Sequence, residues 1–372
     1  MANKIELRKM NRNMIFRCIH DSGGISRQDI AARTGLSIPT VIQNLSDLEA
    51  RGLITSDGVF ESTGGRRAKV IRCVSDAALA AGIDITQNHL TIVVTDMNGE
   101  ITCGGVREAF PYEDTEVYYD AVVEKLLLTL KANGLSTDKL LGVGISLPCI
   151  VDRDQNIVTY TKILEAPVNI RQLFERRLSI PVEIFNDANS GCMAETWNER
   201  SDEMVFYLML SNSVGGATVF QNQIYLGKHC RSSEIGHVKI VPGGRPCYCG
   251  QLGCFNAYCS AKLLSDMTDG SLDTFFSNVS QGRQPFIKTF DEYLDYLAQA
   301  VTNLRMLYDC DIILGGYVGR YMEPYMDQLG QKLARLNPYE TDCDYVRPTR
   351  YHFEASAVGA ALPFISRYID EI

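Results

Sequence analysis

Residues 237–254, HVKIVPGGRPCYCGQLGC, place one histidine and three cysteines within 18 positions of the chain. His237, Cys247, Cys249 and Cys254 are separated by 10, 2 and 5 positions, with glycine and proline between them. Imidazole and thiolate donors in this mixture suit tetrahedral zinc. Because four protein ligands leave no coordination position for water or substrate, we expect one structural metal ion per chain. The sequence therefore predicts that this loop closes on itself around a metal.

The remaining cysteines do not form a second group. The chain has 12 cysteines, and those outside residues 247–259 stand alone, which is typical of reduced thiols and not of a disulfide framework. The alternative for the cluster is a set of buried thiols, but Cys-X-Cys followed by glycine is a poor sequence for core packing. Cys230 and Cys259, which lie close by in sequence, are expected to be bystanders.

Charge divides the chain into a basic head and an acidic body. Residues 1–75 contain 12 Lys and Arg against 7 Asp and Glu, a net of +5, whereas the whole chain has a net charge of −9. Residues 76–372 therefore carry −14. This asymmetry predicts that only the head meets a polyanion, because nucleic acid would repel the body. We place the domain boundary here, with one domain over 1–75 and the other over 76–372.

Within the head, two short helical segments are joined by a tight turn. Ser26 and Ser37 stand at N-cap positions, Pro39 falls in the first turn of the second segment, and glycines end both segments. Two helices joined in this way predict a helix-turn-helix. The second helix has a polar outer face that can hydrogen-bond to base edges in a major groove. The candidate DNA contacts on it are Ser37, Pro39, Thr40, Gln43 and Asn44.

The segments LITSDGVF and RAKVIRCV then read as two strands of a hairpin with ESTGGRR between them, which makes the head a winged helix. Arg66, Arg67 and Lys69 lie on or beside this wing, where arginine next to flexible glycine can enter a minor groove or hold phosphates. The alternative is a small helical domain for protein contacts. The net positive charge of the head, the helix N-caps and the Gly-Gly-Arg-Arg sequence of the wing together favour double-stranded DNA as the partner.

The acidic body alternates strands and helices. Buried-type strands such as LAAGIDIT and LLGVGISLP are followed by amphipathic segments such as VYYDAVVEKLLLTLKANG, and each half starts with a run of strands. This order predicts an α/β body of two lobes with a cleft. The chain has no apolar run of 18 residues, and its first residues lack the apolar segment of a signal peptide. We therefore expect no membrane span and a cytoplasmic location.

Five motifs of the body, in the order FNDAN, SNSVGGA, EIGH, CYCGQLGC and ILGG, resemble those of the ROK family of repressors, open reading frames and sugar kinases. The resemblance covers nearly the whole chain and implies the sugar-kinase/actin-like fold. The repressor branch, which includes xylose and N-acetylglucosamine repressors, carries an N-terminal winged helix. The family's zinc site has one histidine and three cysteines, which implies that His237, Cys247, Cys249 and Cys254 hold zinc.

The resemblance also implies a sugar site. Asp187 matches the family's catalytic base at the end of a strand, where ligands of such sheets bind. This chain has Asn256 where the family has a glutamate after the zinc cluster, which leaves the identity of the sugar open. The alternative for Asn-Asp-Ala-Asn is a simple helix cap. The implied sugar contacts are Asn169, Asn186, Asp187, Glu234, His237 and Asn256.

The chain departs from the family's kinases at the start of the body. Those kinases carry Asp-X-Gly-Gly-Thr, whose glycines let backbone N–H groups approach the phosphates of ATP. Here Asp84 is present, but Thr86, Gln87 and Asn88 replace Gly-Gly-Thr, so side chains should crowd the phosphates. We therefore predict that the body is not an enzyme and has no catalytic residue, but senses a sugar or sugar phosphate.

The sequence thus predicts a sugar-responsive transcriptional regulator, a repressor of carbohydrate utilisation genes such as those for xylose. A palindromic operator needs a symmetric pair of winged helices, so we expect a homodimer or homotetramer in which ligand binding changes the spacing of the heads. Two alternatives stay open. One is an active ATP-dependent sugar kinase with a DNA-binding head, and the other is a constitutive DNA-binding protein with a vestigial cleft.

Overall fold

A computed structural model of the chain describes residues 4–56, 69–152, 154–199 and 202–372. Within them, the head begins with a long helix, followed by the helix-turn-helix and a small antiparallel sheet. Its elements are α1 (Lys4–His20), α2 (Arg27–Thr34), α3 (Ile38–Ala50), β1 (Ile54–Thr55) and β2 (Arg72–Cys73).

The head folds as its capping residues predict. Ser26 Oγ accepts a hydrogen bond from the backbone N–H of Asp29 at 3.2 Å and so caps α2. Ser37 Oγ accepts from the backbone N–H of Thr40 at 3.4 Å and caps α3. β1 and β2 pair antiparallel and form the base of the predicted wing. The tip of that wing lies outside the described residues.

The first lobe is built on a five-stranded sheet of order β5-β4-β3-β6-β9. β3, β4 and β5 form an antiparallel meander, and β6 and β9 continue the sheet parallel to β3. The elements are β3 (Leu79–Ile85), β4 (His89–Thr95), β5 (Ile101–Ala109), α4 (Glu116–Ala132), β6 (Leu140–Leu147), β7 (Cys149–Asp152), β8 (Ile157–Thr161), α5 (Ile170–Leu178), β9 (Val182–Asn186) and α6 (Asp187–Thr196).

The second lobe repeats this plan with the sheet order β12-β11-β10-β13-β14, again a meander extended by two parallel strands. The Cys/His loop and a group of helices are inserted after its meander. The elements are β10 (Val205–Leu210), β11 (Val214–Phe220), β12 (Gln223–Ile224), α7 (Asn256–Cys259), α8 (Ala261–Ser265), α9 (Leu272–Ser280), α10 (Phe286–Tyr308), β13 (Asp311–Gly315), α11 (Gly316–Gly319), α12 (Met326–Leu336), β14 (Val346–Pro348) and α13 (Ala355–Glu371).

The last helix of each lobe packs against the other lobe. α6 lies on β10 and β11, and α13 lies on β3 and β6 and crosses α6. Glycines permit this close approach: a Cβ atom on Gly82 would lie 1.8 Å from the carbonyl oxygen of Ala357, and one on Gly359 would lie 1.7 Å from that of Ser190. Pro363 lies in the middle of α13 and donates no backbone hydrogen bond there. The two crossed helices therefore form the floor between the lobes.

The far end of α13 contacts the head. Ile15, Phe16 and Ile19 of α1 share one buried cluster with Ile365 and Ile369 of α13. The lobes have apolar clusters of their own. Head and body are thus joined through a common core, which burial of apolar surface stabilises.

Polar contacts fix the same junction. Asn13 donates to the carbonyl oxygen of Ile369, and Arg17 pairs with Asp370. His20 Nε2 lies 2.9 Å from the carbonyl oxygen of Met97 in the first lobe. α1 is therefore held by both the sheet region of the body and the end of α13.

The architecture confirms the predicted class, which is a winged helix-turn-helix followed by a two-lobed α/β body with a meander at the start of each lobe. In the described ranges, no helix is both long and apolar enough to cross a lipid bilayer.

Candidate ligand cleft, metal cluster and DNA interface

The predicted metal ligands converge in space. One ligand atom from each of His237, Cys247, Cys249 and Cys254 lies within 4.8 Å of every other. His237 Nδ1 is 3.9 Å from Cys247 Sγ, and Cys249 Sγ is 3.8 Å from Cys254 Sγ. Two thiolates bound to one tetrahedral zinc ion are separated by about 3.8 Å, because each Zn–S bond is about 2.3 Å. The donor set and its spacing therefore fit a metal ion.

Backbone turns bring these side chains together. The N–H of Gly250 donates to the carbonyl oxygen of Cys247 at 2.9 Å, and Gly250 has a φ of 88°, a value that favours glycine. Gly253 has a φ of 77°, and a Cβ atom there would lie 1.8 Å from the carbonyl oxygen of Val241. The glycines of this loop are thus required by its shape. Cys230 and Cys259 take no part in the cluster.

A cavity of about 410 Å³ opens between the lobes beside the cluster. We call it the carboxylate cavity, because Asp187 from the first lobe and Glu234 from the second both line it. His237 and Tyr248 extend its wall, and their rings are 5.3 Å apart with Tyr248 Oη 3.2 Å from His237 Nε2. A cavity of this size and polarity suits a small polar ligand.

Asp187 stands at the junction of β9 and α6. Its Oδ1 accepts from the N–H of Ala188 at 2.9 Å and from the amide of Asn186 at 3.2 Å. Desolvation by the cleft walls raises the pKa of Asp187 to about 7, and the nearby Asp84 contributes in the same direction. A carboxylate with this pKa can hold or release a proton near neutrality and can accept a hydrogen bond from a ligand hydroxyl.

The neighbouring acids are also affected by desolvation. Burial raises the pKa of Asp84 to about 6, and Ser146 Oγ donates to Asp84 Oδ1 at 2.7 Å. Glu234 is open to solvent within the cleft, yet the protein around it raises its pKa by desolvation. The three acids line adjoining surfaces, so the cleft concentrates acceptors for hydroxyl groups.

Asn186 lies at the cavity, but its amide is already used. Its Oδ1 caps α6 by accepting from the N–H of Asn189 at 3.0 Å, and its Nδ2 donates to the carbonyl oxygen of Cys149 at 3.1 Å. Asn186 therefore caps α6 and also lines the cavity, and its sugar contact stays a prediction. Asp187, in contrast, presents its carboxyl group to the cleft.

Two predicted ligand contacts do not line the carboxylate cavity. Asn169 is exposed at the start of α5, away from the cavity wall. Asn256 is buried, and its Oδ1 accepts from the backbone N–H of Val214 at 2.7 Å. Asn256 therefore orders the start of β11, and Asn169 precedes α5; their assignment as sugar contacts stays a prediction.

The turn Thr86–Asn88 borders a second cavity, which we call the turn cavity and which holds only about 70 Å³. Gln87 and Asn88 line it, as do Asp187 from one side and Tyr317 from the other. The predicted crowding of phosphates by Thr86, Gln87 and Asn88 stays a prediction. A typical pocket for a drug-sized ligand is about 300–1,000 Å³.

The candidate DNA interface is the outer face of α3. Ser37, Pro39 and Gln43 are exposed there, and Thr40 is half-buried with its hydroxyl 2.9 Å from Ser37 Oγ. Asn44 is buried and donates to the carbonyl oxygen of Thr40 at 2.8 Å. Its predicted outward direction is therefore wrong, since it follows Val41 by three positions on the core-facing side of α3.

The wing is described only at its base. Lys69 is exposed beside β2, whereas Arg66 and Arg67 lie outside the described residues.

Several residues at these surfaces were not predicted. Ile38 and Ile42 are 41% and 43% exposed on α3, where apolar side chains can contact thymine methyl groups. Tyr248, Arg107 and Tyr317 line the cleft. The two isoleucines could have been predicted from the sequence, because they lie on the predicted recognition helix. The cleft residues are far apart in sequence, so no local pattern predicts that they lie together.

Comparison with known proteins agrees with this arrangement. Residues 11–55 match a winged helix-turn-helix DNA-binding family. The xylose repressor of Bacillus subtilis (strain 168) is 26% identical over 266 residues, which cover 71% of this chain and 69% of that protein. The DNA-binding transcriptional dual regulator NagC of Escherichia coli (strain K12) is 24% identical over 274 residues, covering 71% and 67%.

Solved structures share the fold. A ROK family transcriptional regulator, described as a homologue of the E. coli MLC protein, superposes with a TM-score of 0.75 at 19% identity over 98% of this chain and 97% of that one. A ROK family glucokinase from Streptomyces griseus, in complex with glucose and AMPPNP, gives 0.66 at 24% identity over 76% and 98%. Because the ROK family itself matches residues 80–366, the chain belongs to the ROK family and carries an N-terminal winged helix-turn-helix.

Proposed function

We propose that this chain is a transcriptional repressor that responds to a sugar or sugar derivative and controls genes of carbohydrate use in the cytoplasm. The head would bind operator DNA through α3 and the wing, and the carboxylate cavity would bind the effector. The names of the relatives, a xylose repressor and the regulator NagC, support this class of function. The chemistry of the cleft supports it too, because Asp187 and Glu234 offer acceptors to sugar hydroxyls.

The observation that carries the proposal is the path of α13. At its start, Ser356 Oγ donates to the carbonyl oxygen of Asp187 at 3.1 Å, directly behind the ligand-facing carboxyl group. At its end, Ile369 and Asp370 contact Asn13 and Arg17 of the head. One helix therefore contacts both the residue beside the ligand cavity and helix α1 of the head. A ligand that binds one position of α6 better than another would shift α13, and with it the head.

A palindromic operator would require two heads at a fixed separation. We propose a homodimer or homotetramer, in which a tilt of each head changes that separation. Head and body share a packed core, so the heads would follow the bodies and not swing freely.

We infer that His237, Cys247, Cys249 and Cys254 hold one zinc ion per chain with a structural role. Zinc would supply a cross-link for the loop 237–254. The loop places His237 and Tyr248 in the cavity wall. It begins three residues after Glu234, which lines the same cavity. Metal binding would thus order one wall of the ligand site.

The second candidate is a sugar kinase, and the raised pKa of Asp187 is the observation in its favour, since a general base works best near neutrality. Against it, Thr86, Gln87 and Asn88 stand where the family's kinases have Gly-Gly-Thr, and the turn cavity that they line holds about 70 Å³. We therefore propose that the chain binds its sugar without phosphorylating it.

The test is a variant that cuts the path without touching either site. Arg17→Ala removes the ion pair with Asp370 at the head end of α13. The operator would first be identified by selection from random duplexes with the purified full-length protein. A thermal-shift panel of neutral and phosphorylated sugars would identify the effector.

We expect Arg17→Ala to bind the effector as the wild type does, while the change in operator affinity caused by the effector falls at least about threefold. Arg367→Ala is the matched control, because its ion pair with Glu183 joins α13 to β9 within the body. Equal responses in both variants would contradict the proposed path. A wild-type protein whose operator affinity no sugar alters would overturn the repressor function itself.

A further inference from the structure

The cleft contains a second large cavity, of about 650 Å³, on the side of the turn Thr86–Asn88. We call it the basic cavity. Four cationic side chains line it: Arg107, Lys162, Lys262 and Arg320. Two of them are neutralised locally, because Lys262 pairs with Asp266 at 2.6 Å and Arg320 pairs with Asp273 at 3.0 Å.

Arg107 and Lys162 have no such partner. In the described part of the chain, neither forms an ion pair with a carboxylate. The acids that line the cavity are Asp266 and Asp273, which are already paired. The cavity therefore has an excess of two positive charges, in a body whose net charge is strongly negative.

The Arg107 guanidinium is held in place. It lies 4.2 Å from the ring centre of Tyr317 and 5.4 Å from that of Phe353, and its Nη2 is 3.0 Å from His89 Nδ1. Burial and the adjacent guanidinium lower the pKa of His89, so its ring is neutral and accepts this hydrogen bond. A planar donor fixed on aromatic faces is suited to binding a tetrahedral oxyanion.

The basic cavity is continuous with the carboxylate cavity. Lys162, Ile163, Ser213 and Tyr248 line both. A ligand whose hydroxyl groups lie at Asp187 and Glu234 can therefore extend a substituent past Lys162 towards Arg107. Asp84 and the Cys249 thiol interact electrostatically with Arg107 and Lys162 from outside this cavity, so a neutral sugar would leave the charge partly compensated, whereas an anionic substituent would add direct compensation.

We propose that the effector is a phosphorylated sugar, with its hydroxyls in the carboxylate cavity and its phosphate between Arg107 and Lys162. This inference rests on the proposed sensor function and makes its ligand class specific. Arg107 belongs to the first lobe, and Asn212 and Ser213 at the opposite wall belong to the second. The phosphate would thus be bound by both lobes and would favour a closed cleft.

Isothermal titration of the full-length, zinc-loaded protein tests this with three probes at constant ionic strength. They are inorganic phosphate, a panel of neutral hexoses and N-acetylhexosamines, and the 6-phosphates of the same sugars. We expect inorganic phosphate to bind weakly, and at least one 6-phosphate to bind more than about tenfold tighter than its neutral parent, as expected for a charge-assisted contact.

Arg107→Gln should abolish phosphate binding and remove that tenfold gain, while the affinity for the neutral parent stays within about twofold of wild type. Arg107→Lys, which keeps the charge but loses the planar fork, should retain part of the gain. Arg171→Gln is the matched control, because Arg171 pairs with Glu175 on α5 outside the cleft. Phosphate affinity that is unchanged in Arg107→Gln would overturn the site.

The two proposals fail differently. A neutral sugar that binds and changes operator affinity, with no gain from its 6-phosphate, would overturn the phosphate site and leave the sensor function intact. Binding of inorganic phosphate at Arg107 with no sugar of either kind bound would instead overturn the sensor function, and with it the assignment of the effector.

Discussion

The carboxylate cavity and the turn cavity meet at Asp187 but differ in the volume that they leave for a ligand. The carboxylate cavity holds about 410 Å³ and is lined by Asp187 and Glu234, whereas the turn cavity holds about 70 Å³ and is lined by Gln87, Asn88 and Tyr317. The backbone fold is the same one that binds glucose and AMPPNP in the S. griseus glucokinase. The two cavities thus offer very different room to a ligand, although Asp187 lines both.

The largest effect is expected on the open side, from the loss of a metal ligand. Cys254→Ser should lose the bound metal and weaken effector binding by about a hundredfold or more, because metal binding and loop folding are coupled. Metal content by mass spectrometry and effector titration would check this. Cys343→Ser, a half-buried cysteine outside the cluster, is the control and should keep both. Full metal content in Cys254→Ser would contradict the assignment of the four residues as the metal ligands.

An intermediate effect is expected from pH, through Asp187. Its pKa is about 7 in the fold and about 3.9 in an unfolded chain, so the folded protein binds more protons between these values. The ligand-free protein should therefore lose stability as pH rises through this window. Asp84 acts in the same direction, and because the two carboxyl groups interact, the difference between wild type and variant reports Asp187 together with this interaction.

Asp187→Asn removes this contribution. From pH 5 to pH 8, the free energy of unfolding of the wild type should fall by about 1–2 kcal/mol more than that of the variant, after a discount for solvent in the cleft. Urea denaturation at both pH values measures the difference. Parallel pH dependences would mean that Asp187 is already ionised, as on a fully hydrated surface.

The smallest effect is expected on the closed side. Tyr317→Ala enlarges the turn cavity but leaves Gln87 and Asn88 in place, so ATP should still not bind and the affinity for a neutral sugar should change less than about threefold. Titration with ATP and a coupled assay for ADP in the presence of sugar would check both statements. Formation of ADP by this variant would show that a single side chain separates the sensor from a kinase.

The parts of the structure that depend on local sequence were predictable. Ser26 and Ser37 marked the two helix starts because an N-cap acts within three residues. The metal ligands were recognised by spacing, since Cys247, Cys249 and Cys254 lie in one loop. Asp187 was assigned through the resemblance of FNDAN to the family's motif, and the structure places it at the end of β9 beside the cavity.

What the sequence did not predict has two physical causes. Asn44 was assigned outward by its polarity, although its spacing from Val41 and Leu48 places it on the buried face of α3. Asn256 was assigned by its position after the cluster, and no local pattern reports that its Oδ1 accepts a tertiary hydrogen bond from Val214; its sugar contact stays a prediction. The stacking of Arg107 on Tyr317 joins two lobes across 210 positions of sequence, and no local pattern reports it.

The close packing beneath the cleft determines which property of a bound ligand can change the position of the head. At Gly82, Gly144 and Gly359, backbone meets backbone around α13, so there is no layer of side chains to absorb a displacement. α13 should then transmit the position of α6 and not the strength with which a ligand is held. Two sugars of equal affinity could thus have opposite effects on operator binding. A sugar that fills the cleft without moving the first turn of α6 would leave operator affinity unchanged and would act as a competitive antagonist of the effector.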